Sequence, residues 1–122
     1  MPEDHESLVQ RIDTLLSHVW MVRTFLKHCE EAEEDEELAE VHRELYDFML
    51  ALGPSLNAGD TAGYLKQARK KWSRLTRAAE TFSQIQPQIS THTNFQMAAR
   101  SLTAAVAEIG ALLHADRDAA AS

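Results

Sequence analysis

Cysteine, proline and glycine are scarce in this chain, and each shortage removes a class of structure. The lone cysteine, Cys29, excludes an internal disulfide framework and reads as a reduced thiol. Three prolines and four glycines in 122 residues leave few places where regular structure must break, which favours long helices. No apolar run approaches the roughly 20 residues that cross a bilayer. A net charge of -7 lacks the basic excess that a phosphate backbone attracts, so nucleic acid is not the expected partner. The opening Met-Pro-Glu-Asp-His-Glu has neither the basic nor the apolar region of a secretory signal. The expectation is a cytoplasmic protein without membrane contact.

Recognisable catalytic signatures are missing as well. The chain has no phosphate-binding glycine loop, no dinucleotide glycine motif, no serine nucleophile elbow and no zinc-type Cys/His set. Cys29 has no legible Cys-His-Asn arrangement, and the acids that follow it disfavour the thiolate.

What the chain does have is helical periodicity. Apolar residues make up 44% of the sequence, enough for one core at this length, where folding buries roughly two-thirds of the unfolded surface. Leu8, Ile12, Leu15, Val19, Val22, Leu26 and Cys29 alternate steps of four and three, predicting a helix over 5–33. Leu38, Val41, Leu45, Phe48 and Leu52 predict a second over 36–52, with Asp35 as N-cap and Gly53-Pro54 as the stop. Asp60 caps a third over 60–85, carrying Leu65, Ala68, Trp72, Leu75, Ala79 and Phe82 and ending before Pro87. A fourth, over 93–115, carries Phe95, Ala98, Leu102, Ala105, Ile109 and Leu112, and 116–122 reads as a frayed tail. Short links between such helices predict a single all-α domain over 1–122, an up-down-up-down antiparallel four-helix bundle.

That topology gathers one set of polar residues at a common pole, where the first helix ends, the second and fourth begin and the third ends. Arg23, His28, His42, His92 and Asn94 fall there and form a candidate metal- or anion-binding site. A ferritin-like di-iron site is excluded, because it needs Glu three residues before His. The residues three before His18, His28, His42, His92 and His114 are Leu15, Phe25, Ala39, Ile89 and Ala111.

The run Glu30-Glu31-Ala32-Glu33-Glu34-Asp35-Glu36-Glu37 reads first as a solvated turn whose acids suit a helix N-terminus. With Glu44 and Asp47 it also resembles the paired EExxE and ExxD motifs of MazG-type nucleotide pyrophosphohydrolases. That resemblance implies a magnesium site built from Glu31, Glu34, Glu44 and Asp47, although nine residues separate the motifs and the first runs into a turn.

Lys66, Arg69, Lys70, Lys71, Arg74 and Arg77 crowd the third helix, where Glu40, Glu44 and Asp47 of the second can neutralise them; the competing reading is a phosphate-facing stripe. On the first helix, Trp20 and Met21 lie off the main seam and are the candidate interface residues, since a tryptophan beside apolar neighbours is a common anchor.

The segment from His18 to Glu31, His-Val-Trp-Met-Val-Arg-Thr-Phe-Leu-Lys-His-Cys-Glu-Glu, with Thr91-His92-Thr93-Asn94-Phe95, resembles a group of small bacterial helical proteins, some labelled amidohydrolase. That label implies metal-dependent hydrolysis in a barrel of about 250 residues with a His-x-His motif, and this chain has neither. The favoured reading is a non-enzymatic module that binds a protein partner or self-associates, with no cofactor assigned and a divalent metal as the alternative.

Overall fold

The computed structural model describes residues 4–121. Over that span the chain is all-helical, with five α-helices and no strand among the described residues: α1 (His5–His28), α2 (Glu30–Glu34), α3 (Glu36–Asn57), α4 (Thr61–Ile89) and α5 (Thr93–Ala121). No helix is long and apolar enough to cross a membrane.

The predicted caps form. The Asp35 carboxylate accepts from the Leu38 N–H at 3.0 Å, and Asp60 accepts from Gly63 at 2.9 Å. The stripes of the heptad reading form the core, with Leu15, Cys29, Trp72 and Leu112 partly buried at its edge, and the largest fully buried side chains include Tyr64, Phe82, Ile12, Leu45, Leu102 and Ile109. α1 packs on α3 and α5, and α4 likewise on α3 and α5; α1 and α4 touch less, and α3 and α5 least of all. All four long helices therefore share one core.

Four boundaries differ from the sequence expectation. The helix expected over 5–33 ends at His28, because Cys29 turns extended and its thiol donates to the Leu26 carbonyl. Seven acids in eight residues would repel one another along a continuing helix; they are divided instead between α2 and the N-terminus of α3, where each helix dipole favours them.

The second difference is at Gly53-Pro54, which does not stop α3. Pro54 removes the donor for the Leu50 carbonyl, but both residues lie on the exposed face, where water can take that bond. The stop comes at Gly59, the position with positive φ, at 69°. Asp60 N–H donates to the Ser55 carbonyl and Gly59 N–H to Leu56, the paired bonds of a Schellman motif. Pro87 is likewise exposed and α4 runs on to Ile89, with the buried Gln86 side chain donating to the Ser90 carbonyl at 2.7 Å.

The fourth difference is the segment expected to fray, which continues α5 to Ala121. Asp116 pins it: one carboxylate oxygen pairs with Arg69 of α4 and the other with His5 of α1 at 2.9 Å. Trp72 of α4 lies against Gly110 so closely that a β-carbon there would overlap the indole, and it meets His114 edge-on.

Because Gly59, alone among the described residues, adopts the left-handed geometry, Gly59→Ala should cost about 1 kcal/mol through its backbone, with no loss of packing. A denaturant titration should show a lower midpoint at unchanged slope. An unchanged midpoint would remove the Schellman turn as the stop of α3.

Candidate functional site

α1 and α3 each carry a second, less regular stripe beside the buried one, and these stripes meet along a groove. On α1 it is made by Asp13, Ser17, Trp20 and Met21; on α3 by Met49, Gly53 and Leu56, with a volume of about 360 Å³. Several large apolar side chains here face solvent: Trp20 is 45% exposed, Met21 64% and Leu50 59%. Tyr46 and Leu56 are also exposed. At the bottom of the groove Tyr64 is fully buried; burial and the nearby Asp13 carboxylate hold its phenol protonated, well above the ordinary range.

Trp20, which lines the groove, also packs against Arg23, which is only 9% exposed. Its guanidinium carbon lies 4.7 Å from the Trp20 ring centroid and 4.7 Å from that of Tyr46, so aromatic rings of α1 and α3 both pack against it. No hydrogen bond or ion pair among the described residues engages it, and its Nε is sealed from water without an acceptor. Two cation–π contacts return about 1–4 kcal/mol. Of the three guanidinium nitrogens the amino pair stays open to water, and Nε alone is sealed without an acceptor.

Two neighbouring polar atoms share this condition. Thr24 Oγ1 and His42 Nδ1 are buried with no hydrogen-bond partner. Burial pushes the His42 pKa below its ordinary value, and the positive charges of Arg23, Arg43 and Lys27 add to the shift. An acidic protein thus has a local basic centre at the α1–α3 seam.

The residues of the expected pole divide. Arg23 and His42 come together, but His28, His92 and Asn94 are exposed, and His92 Nδ1 is occupied accepting from the Asn94 N–H at 3.0 Å at the start of α5. Phe25 and Phe95 meet edge-on at 5.0 Å, so the end of α1 and the start of α5 are indeed neighbours. Glu31 and Glu34 lie on α2 and Asp47 is exposed on α3, whereas Glu44 lines a separate groove with Glu37, Glu40, Arg74 and Arg77. No group of three or more His, Cys, Asp or Glu side chains among the described residues is placed to hold a metal ion. The magnesium reading therefore has no carboxylate cluster to rest on. Cys29 is half-buried, with its thiol pKa raised by burial.

The chain matches no family model, no curated protein and no solved structure. Its function has to be read from the site itself.

Trp20, Met21 and Arg23 were legible as candidates; Tyr46, Met49, Leu50 and Leu56 were not. The available signal was a second stripe, Trp20-Arg23-Thr24-Lys27 on α1 and Tyr46-Met49-Leu50-Gly53 on α3, each at steps of three and four.

Two measurements follow. With the folded pKa of His42 lowered from 6.5, the unfolded chain takes up its proton first as pH falls, so stability attributable to His42 is intact above about pH 6.5 and declines below it. Melting curves from pH 7.5 to 5.5 should fall more steeply for the parent than for His42→Gln; parallel curves would show that His42 titrates normally. Arg23→Met replaces a guanidinium whose Nε is sealed without an acceptor by an apolar chain of similar length, and should raise stability by about 1 kcal/mol. A loss of about 3 kcal/mol or more would show that the guanidinium is satisfied in the free protein.

Proposed function

We propose that this chain is a non-enzymatic helical module that associates with another protein segment through the α1–α3 groove. The observation that carries the reading is the exposure of Trp20, Met21 and Leu56 along one groove, with Leu50 exposed on the same helix as Leu56. Apolar side chains gathered on one face, rimmed by polar groups, are characteristic of association surfaces, and Trp, Tyr and Arg are the residues that most often anchor them.

The scaffold in this proposal is a single up-down-up-down antiparallel bundle of α1, α3, α4 and α5. Its support is the pairing of the two ends of α1 and α5: Phe25 meets Phe95 at one, and His5 meets Asp116 at the other. A cytoplasmic setting belongs to the same proposal, consistent with a lone cysteine that has no disulfide partner in the chain.

Charge favours association over nucleic-acid binding. Arg74 and Arg77 share a groove with Glu37, Glu40 and Glu44, and Arg69 is paired with Asp116, so half of the basic set on α4 faces acids of its own chain.

Met21→Asp and Leu50→Asp together change only exposed positions and should leave the melting temperature within a few degrees of the parent. The same pair should abolish association, whether read as concentration-dependent sedimentation of the protein alone or as binding of peptides selected from an amphipathic helical library. A parent protein that sediments as a monomer at all concentrations and selects no peptide sequence would overturn the proposal.

A further inference from the structure

We infer that the segment this groove receives is α1 of a second copy of the chain, the two α1 helices running antiparallel about a two-fold axis at Trp20, with Asp13 of each copy against Lys27 of the other. The inference rests on the association reading above and adds the identity of the partner.

The placement of charge on α1 carries it. Asp13 and Lys27 each lie seven residues from Trp20, on opposite sides of it, and all three side chains are exposed. Seven residues are about two helical turns, so the three share one line of the helix surface, with the acid and the base each about 10 Å from the tryptophan. No ion pair among the described residues engages either charge. Asp13 is the one acid among the described residues that line the groove, and its neighbour there is the uncharged phenol of Tyr64. Lys27 stands at the basic end of the seam with Arg23 and Arg43. Arg43 has Glu40 as its counter-charge, whereas Lys27 has none. Each charge thus lacks within its own chain what the other would supply.

A two-fold axis makes this pattern self-complementary. An isologous contact sets residue i of one copy against j of the other and j against i, so an axis perpendicular to α1 at Trp20 forms two Asp13–Lys27 pairs at once. With the axis parallel to α1, Asp13 would face Asp13 and Lys27 would face Lys27, and repulsion opposes that arrangement. Charge therefore fixes the direction of the pairing, and apolar side chains supply its centre. Trp20 lies on the axis, the central position that anchor residues favour, with Met21 64% exposed beside it and Met49 of α3 lining the same groove. Between Trp20 and the two charges lie Ser17 and Thr24, short side chains that let a second helix approach closely. Opposite charges at equal distances from Trp20 are a requirement for a second copy and for no other partner.

Charge exchange tests it, read by sedimentation of the full chain over a range of concentrations. The parent should dimerise. Asp13→Lys and Lys27→Asp each make both pairs repulsive, and each should weaken the dimer roughly tenfold or more. The double exchange, Asp13→Lys with Lys27→Asp, restores opposite charges and should bring dimerisation back toward the parent. An equimolar mixture of the two single variants should also associate, because each supplies the charges that the other lacks. That mixture separates lost pairing from lost folding, since neither chain in it differs from the one that failed alone. A monomeric parent would overturn this inference; peptide selection by that monomer would leave the association reading standing, and no selection would remove both. A parent dimer that both single variants match in affinity, or a mixture that fails to associate where the parent does, would also overturn the two-fold pairing.

Discussion

Each long helix must bury one apolar stripe, and the rest of the molecule depends on that single requirement. α1, α3, α4 and α5 each satisfy it against two neighbours, which is why nearly every residue of the heptad pattern is sealed from water. The contact is more extensive between α3 and α4 than between α1 and α3. At that thinner seam the core is closed by side chains that are not fully apolar: Arg23 flanked by Trp20 and Tyr46, with Thr24 and His42 beside it. A core boundary made this way leaves one guanidinium nitrogen without an acceptor and apolar surface on the outside.

Charge is sorted by the same geometry. The two flanks of α3 are unlike: the one toward α4 carries Glu37, Glu40 and Glu44 with Arg74 and Arg77, while the one toward α1 carries His42, Tyr46 and Met49. Acids elsewhere are spent locally, at helix N-termini in α2 and α3 and in the Asp116 pairings that tie α5 to α1 and α4. Net acidity therefore says little about the α1–α3 seam, which is locally basic.

The sequence was most informative where one physical rule acted alone. Leu38, Val41, Leu45, Phe48 and Leu52 announced the buried face of α3, and Asp35 and Asp60 announced its start and that of α4, since a cap needs only its own helix. It misled where two rules competed. Pro54 and Pro87 read as stops, yet each sits on an exposed face where water satisfies the freed carbonyl. Asp116 gave no local sign of its partners, because Arg69 and His5 are distant in sequence. The site was half legible for the same reason: Trp20, Met21 and Arg23 stand out on α1, but the second aromatic against the arginine comes from Tyr46 on another helix. The histidines expected to converge did not, because His92 is committed to the start of α5.

The central claim is that Arg23 packs against the Trp20 and Tyr46 rings with its Nε sealed from any acceptor. Side-chain proton–nitrogen NMR of the free protein addresses it directly, through the Arg23 Hε resonance. Packing against the Trp20 and Tyr46 rings should move that resonance upfield by ring-current shielding, and Trp20→Ala or Tyr46→Ala should return it toward the ordinary arginine position. A resonance already at the ordinary position in the parent, or one shifted downfield as in a guanidinium–carboxylate pair, would contradict the account.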